Sequence, residues 1–267
     1  MGSTAIIGAG AMGEALLAGL LRDGRPAAEV LVGEKRAERA VELTERYGVE
    51  VVDNLTAVSR AETVALVVKP GDVLSVLAEV AAELRPGQLL VSLAAGTTTA
   101  AIEEVVPEGV AVVRVMPNTP ALVGRGMAAL SPGRHCTDEQ LAEVEALLAG
   151  TGAVVRVPES QQDAVTAISG SGPAYVFLVV EALVEAGVHL GLPRETATTL
   201  AVQTLAGSAE LLRSTGTHPS LLREQVTSPG GTTAAGLRQL DERGVRAAFL
   251  AAAEAARDRS RALAQES

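Results

Sequence analysis

The chain has 267 residues, 48% of them hydrophobic, and a formal net charge of −10. That length allows one large domain or two ordinary ones with a sizeable core. The acidic balance argues against a nucleic-acid or anionic-membrane partner, and the single Cys136 excludes an internal disulfide and a cysteine metal cluster.

Met1 to Ile6 has no basic stretch ahead of its apolar residues, so it does not read as a signal peptide, and a cytosolic protein is expected. With two Tyr, two Phe and no Trp, the core must be built from Ala, Val and Leu. Ala5 to Gly8 reads as a short strand running into Gly8-Ala9-Gly10-Ala11-Met12-Gly13. An apolar helix over about Met12 to Arg22 follows. Val30 to Val32 is a second strand, a charged helix covers Arg36 to Tyr47, and Val49 to Val52 is a third strand. Further strands are expected at Thr63 to Val68, Leu89 to Leu93 and Ala111 to Val115, with a helix at Thr99 to Val105. The alternation predicts an α/β fold with a parallel, doubly wound sheet of Rossmann type. The near-continuous Val, Leu and Ile content fits strands covered on both faces.

After Val154 to Val157 the strand signals stop. Helices are expected at Ser160 to Ile168, Ala174 to Leu190, Glu195 to Arg213, Pro219 to Val226, Thr232 to Glu242 and Val245 to Leu263, separated by Gly- and Pro-rich turns. The expected division is a dinucleotide-binding domain over 1–157 and an all-helical domain over 158–267. Those helices carry more apolar surface than a short chain can bury alone, which predicts a homo-oligomer. Ala174 to Leu190 is the longest apolar stretch, but it contains Glu181 and Glu185. It is therefore expected as a helix buried in protein on most sides, not a membrane span.

The glycine run has the context that gives it meaning. Gly8 permits a tight turn, Gly10 lets backbone approach a pyrophosphate, and Gly13 allows close helix–strand packing. The alternative is a glycine-rich turn that binds nothing. Glu34, about 20 residues after Gly13, stands where an acid binds the ribose hydroxyls of NAD. Lys35 and Arg36 follow and would neutralise the 2′-phosphate of NADP. Charge balance favours NADP, with NAD the open alternative.

Catalytic side chains are scarce. His135, His189 and His218 lie far apart with no ligand spacing, and they read as surface or packing residues. No nucleophile elbow and no metal signature appears. Hydride transfer suits that shortage, because a cofactor performs the hard step and the protein supplies positioning. In Ser228-Pro229-Gly230-Gly231-Thr232-Thr233 a turn feeds a helix through two threonines. Amides at Gly231, Thr232 and Thr233 would suit a substrate carboxylate, and the Thr233 hydroxyl a ring nitrogen. The alternative is a helix capped by Thr232.

This segment resembles the signature of pyrroline-5-carboxylate reductases. So do Val68-Lys69-Pro70, Ala94-Ala95-Gly96, Met116-Pro117-Asn118-Thr119-Pro120, Ile168 to Tyr175 and Gly191-Leu192-Pro193, in the family's order and over nearly the whole chain. The resemblance implies reduction of Δ1-pyrroline-5-carboxylate to L-proline by NADPH or NADH. It also implies a homodimer through interleaved helical domains, with dimers assembling into larger rings. Matching positions place Gly8, Ala9, Gly10, Ala11, Met12 and Gly13 at the pyrophosphate. Asn54, Val68, Lys69, Pro70, Ala94, Ala95 and Gly96 line the cofactor cleft. Asn118 braces loops near the nicotinamide, and Gln225 is counted with the cofactor residues. Ser228, Gly231, Thr232, Thr233 and Glu159 are implied at the substrate, with Thr233 as the catalytic residue.

β-Hydroxyacid dehydrogenases also pair a Rossmann domain with helices, but they use a lysine on the long interdomain helix. Here Lys35 and Lys69 are the only lysines. A dinucleotide-binding regulator without turnover would need a degraded substrate segment, and the Pro-Gly-Gly-Thr-Thr segment is intact.

Overall fold

The structure, a computed structural model, describes residues 2–266, with side chains through Ala264. Among them stand β1 (Thr4–Ile7), β2 (Val30–Gly33), β3 (Glu50–Val52), β4 (Thr63–Leu66), β5 (Leu89–Ser92), β6 (Ala111–Met116), β7 (Gly126–Pro132) and β8 (Gly152–Arg156). They form one sheet in the order β3-β2-β1-β4-β5-β6-β7-β8. The connecting helices are α1 (Ala11–Arg22), α2 (Ala37–Tyr47), α3 (Asn54–Arg60), α4 (Val73–Val80), α5 (Thr99–Glu103) and α6 (Asp138–Leu148). Helical structure then continues through α7 (Gln162–Val165), a π-helical turn at Thr166–Gly170, α8 (Gly172–His189), α9 (Arg194–Thr215), α10 (Pro219–Gln225), α11 (Thr232–Glu242) and α12 (Val245–Glu266).

Strand residues alternate between two apolar layers, as a doubly wound sheet requires. Ile6, Val32, Ala65, Val91 and Val113 pack with Leu16, Leu17 and Leu20 of α1, Leu43 of α2 and Leu147 of α6. Ile7, Leu31, Leu66, Leu90 and Val112 pack with Val58 of α3, Leu77 of α4 and Ile102 of α5 on the other face. Aliphatic residues fill both layers.

The expected all-parallel sheet needs one correction. β6 and β7 pair antiparallel, so β7 and β8 run against the other six strands. The connection from Pro117 to Arg125 is too short for a crossover helix, whereas an antiparallel neighbour needs only a short loop. The sequence hides β7 because its centre, Met127-Ala128-Ala129-Leu130, lacks β-branched residues. Pairing on both sides supplies what propensity does not.

By contacts the chain forms two compact units, one running to Ser171 and resuming at Ala255, the other spanning Gly172–Glu254. These bounds differ from the 1–157 and 158–267 division, which follows the end of the last strand. The reason is specific bonding on the sheet side. Buried Gln162 donates through Nε2 to Ala129 O at 3.2 Å and Ser131 Oγ at 2.8 Å. Ser260 of α12 donates to Asp163 Oδ1 at 2.8 Å.

In the second unit α8 packs on α9 where Gly187 meets Ala197, since a Cβ on Gly187 would lie 2.8 Å from the Ala197 Cβ. The buried core there is small, comprising Val184, Ala197 and Ala201. The expectation that Ala174 to Leu190 is buried on most sides does not hold within one chain. Val184 is the buried residue of α8, while Phe177 and Leu178 are each 65% exposed. One helical run, Glu159–His189, is long and apolar enough to cross a membrane by length and composition. Glu181 and Glu185 are exposed on it.

The start of α1 is tied to α2. Glu14 accepts from Arg39 Nη2, from Arg46 Nη1 at 2.7 Å and from the Tyr47 hydroxyl at 2.7 Å, and Arg39 Nε donates to Ala9 O at 3.2 Å. Hydrogen bonding from Arg39, then Tyr47, holds the Glu14 carboxyl below its ordinary range, against the opposing effect of burial. A group with a depressed folded pKa contributes stability above its unfolded pKa and loses it as pH falls through the folded value. Glu14→Gln is expected to cost about 1–2 kcal/mol at neutral pH. Denaturant midpoints measured from pH 7 downward should show that difference shrinking below about pH 4. A constant difference across that range would remove Glu14 ionisation from the account.

Candidate functional site

β1 lies at the point where strand order reverses, with β2 and β3 to one side and β4 onward to the other. Ligands of open α/β sheets bind at such a point, beyond the carboxyl ends of the strands. Gly8 follows β1 with φ of 99°, and a Cβ there would lie 2.5 Å from Val67 O. A Cβ on Gly13 would lie 2.0 Å from Gly8 O, so only glycine lets α1 sit this close to the turn. Gly10 is the N-cap of α1 and would meet nothing within 4 Å. Its backbone is open to a close ligand, and the first turn of α1 presents its amides without a side-chain cap. The geometry therefore fits a pyrophosphate. Ala9 is buried, Ala11 is exposed and Met12 packs against the core.

Beyond β2 the charges pair with each other. Glu34 Oε1 accepts from the Arg36 amide at 2.9 Å and Nε at 3.0 Å, and Oε2 from Nη2 at 2.9 Å. These bonds hold the Glu34 carboxyl below its ordinary range. Lys35 Nζ donates to Glu79 Oε2 at 2.8 Å. Buried Asn54 sits over Gly33, where a Cβ would lie 2.6 Å from Asn54 Oδ1. Glu34, Lys35 and Asn54, together with Gly8, Val68 and residues of α4, line a cleft of about 400 Å³. Glu79 gives no signal in the sequence, because it reaches the cleft from α4 only through the parallel sheet.

A second cleft of about 480 Å³ is lined by Pro70, Gly71, Ala95 and Gly96, with Thr166, Ser171 and, from α12, Ala256, Arg259, Ser260 and Leu263. Ala94 is buried, Gly96 has φ of 83°, and Lys69 is exposed. The α12 residues went unrecognised in the sequence, since a helix end returning to the sheet leaves no local mark. Asn118 acts as a brace: its Oδ1 accepts from Met127 N at 2.8 Å and its Nδ2 donates to Ser169 O at 3.1 Å.

Glu159 also braces. Its Oε1 accepts from Thr99 N at 2.8 Å and Arg114 Nη1 at 3.2 Å, and its Oε2 from the Thr99 hydroxyl at 2.6 Å. Arg114 is a buried cation in the middle of the sheet, and Glu159 is the partner that makes it tolerable.

In the second unit Gly231 is the N-cap of α11, which no side chain caps. Thr232 is the first helical residue, so the alternative of a Thr232 cap is corrected. Gly230 has φ of 67°, Gly231 N donates to Ser228 O at 3.0 Å, and a Cβ on Gly231 would lie 2.4 Å from Ser228 Oγ. This packing keeps position 231 a glycine and leaves the amides of Thr232 and Thr233 without a side-chain cap, whereas the Gly231 amide, expected free, is engaged by Ser228 O. Gln225 ends α10 and is exposed. His218 caps α10 through Ser220 N at 3.3 Å. Burial pushes the Cys136 thiol up to about 11, far from a reactive thiolate. Glu159→Ala should cost about 3 kcal/mol by stranding Arg114, and Arg114→Met added to it should recover part of that loss. Denaturation midpoints of the two variants check this, and a fully stable Glu159→Ala would refute the brace.

The pyrroline-5-carboxylate reductase dimerisation family matches residues 159–263, and the family described as NADP oxidoreductase, coenzyme F420-dependent, matches residues 3–96. A pyrroline-5-carboxylate reductase of Corynebacterium melassecola is 48% identical, over 98% of this chain and 99% of its own. The Synechocystis enzyme of that name is 44% identical, over 98% of each chain. Among solved structures, pyrroline-5-carboxylate reductase of Coxiella burnetii superposes with a TM-score of 0.94 at 35% identity, over 98% of both chains. A Plasmodium falciparum pyrroline carboxylate reductase with NADP bound gives 0.87 at 30% identity, again over 98% of both. With the switch-point glycine turn and the uncapped helix start both in place, this chain belongs to the pyrroline-5-carboxylate reductase family.

Proposed function

We propose that the chain reduces the C=N bond of Δ1-pyrroline-5-carboxylate with NAD(P)H to give L-proline, the last step of proline biosynthesis. The observation that carries this reading is full-length similarity to reductases of that name, joined to the glycine turn at the switch point of the sheet. When bound, the dihydronicotinamide supplies a hydride to the imine carbon, and the ring nitrogen ends with one added proton. Gly8 to Gly13 hold the pyrophosphate. Glu34, Lys35, Arg36 and Asn54 receive the adenosine ribose, and Val68 to Pro70 with Ala94 to Gly96 flank the nicotinamide. Gln225 is assigned to the cofactor as well.

The amides of Thr232 and Thr233 hold the substrate carboxylate, while Gly231, whose own amide donates to Ser228 O, and Ser228 shape the turn. The Thr233 hydroxyl orients the ring nitrogen and helps supply its proton, directly or through a water. A protonated imine is already electrophilic, so orientation carries most of the acceleration and no strongly perturbed acid is needed. Asn118 and Glu159 act through the loops they brace.

NADPH is the favoured reductant in this reading. Lys35 and Arg36 are both 68% exposed at the rim, and the similar Plasmodium structure has NADP bound. Functionally, residues 1–157 serve the dinucleotide and 158–267 serve substrate and assembly, a division supported by the family match at 159–263. The exposed apolar faces of α8 and α12, with Phe177, Leu178 and Leu250, fit a homodimer, the unit from which a larger ring is assembled. A cytosolic setting fits a chain with one cysteine.

Purified protein mixed with pyrroline-5-carboxylate should oxidise NADPH faster than NADH and form proline in equal amount. Loss of neither cofactor would sink the substrate assignment. Thr233→Ala should lower kcat roughly ten- to a hundredfold with little change in cofactor affinity. Steady-state kinetics with unaltered turnover would remove Thr233 from the chemistry. Sedimentation should give a mass at least twice that of one chain.

A further inference from the structure

The ribose cleft contains an acid that the reaction itself does not require. Glu79 stands in the last turn of α4, where the helix dipole disfavours a carboxylate. Its partners come from other elements: Lys35 Nζ at 2.8 Å from Oε2, and Asn54 Nδ2 at 3.4 Å from Oε1. The same cleft is lined by Glu34 and Asp72. Arg36 is chelated by Glu34 through its amide, Nε and Nη2. Of the two cations that follow β2, one is therefore engaged by Glu34 and the other by Glu79.

We propose that Glu79 sets the discrimination between phosphorylated and unphosphorylated nicotinamide dinucleotides, by competing with the 2′-phosphate for Lys35. The proposal rests on the reading of this cleft as the adenosine-ribose end of the cofactor site. A 2′-phosphate entering the cleft must draw Lys35 away from Glu79 in the company of further carboxylates. An unphosphorylated ribose makes no demand on Lys35 and leaves its pair with Glu79 in place. The Lys35–Glu79 pair is solvated, with side chains 68% and 34% exposed, and pairs of this kind are weak enough to exchange. Lysine is a point charge on a flexible stem, suited to moving between two anions. The chain thus uses both cofactors, and Glu79 restrains its preference for NADPH.

Calorimetric titration with 2′,5′-ADP and with 5′-AMP reads this without imine reduction, so an error in the substrate assignment leaves the test intact. Glu79→Gln is expected to tighten 2′,5′-ADP about five- to tenfold and to change 5′-AMP by less than about twofold. In a Lys35→Met background the same substitution should change 2′,5′-ADP by less than about twofold. Glu79→Asp keeps the charge but shortens the reach, and should tighten 2′,5′-ADP to a smaller degree. An equal effect on both probes, no effect on either, or an undiminished effect without Lys35 would overturn the proposal. A wild-type chain that binds neither probe would overturn the cleft assignment and the proposal with it.

Discussion

The close approach of α1 to the end of β1 is the constraint on which the rest of the sheet unit depends. Gly8 must turn with positive φ against Val67 O, and Gly13 must lie where any Cβ would strike Gly8 O. This contact brings the amide-bearing end of a helix to the one crevice where the parallel sheet reverses its order. β4 then delivers Val68 and Pro70 to one side of the crevice, and β2 delivers Glu34 to Arg36 to the other. The Glu14 cluster secures the arrangement by fixing α2 and Ala9 O to the same helix start.

Around that turn the protein manages charge by pairing it locally. Arg114 is embedded in β6 and is neutralised by Glu159, which also orders Thr99 at the start of α5. Burying a lone guanidinium would be costly, so the pair also fixes where the segment after β8 must sit. At the solvated rim the pairs are weaker and serve a different end. Glu34 with Arg36, and Lys35 with Glu79, neutralise each other at the mouth of the cleft. Solvation separates the two cases: the pair that holds a desolvated guanidinium is a rigid brace, and a pair open to water, such as Lys35 with Glu79, is exchangeable.

The helical unit shows the complementary economy. Its own core is a few residues where α8 crosses α9, and its larger apolar side chains stay exposed. Such a surface is unsuited to a lone chain in water, and the match to a dimerisation family supplies its partner in kind, a second copy. The helix Glu159–His189 is long and apolar enough to cross a membrane for the same reason: a helix meant to be covered by protein and one meant to be covered by lipid have similar composition.

Sequence alone determined what local chemistry dictates. The glycine turn, the Val- and Leu-rich strands, and α11 starting at Thr232 are legible because steric freedom, burial on both faces and helix punctuation leave marks at the residues concerned. The tertiary structure decided what depends on neighbours distant in the chain. β7 is a strand through its pairing, Glu159 is a brace because Arg114 lies opposite it, and Glu79 reaches Lys35 and Asn54 only because β4 and α4 lie beside β1. It also decided that α12 returns to the sheet at Ser260 and Asp163. Hydrogen bonds and ion pairs across such separations carry no period and no spacing, so their partners are known only once the chain has folded.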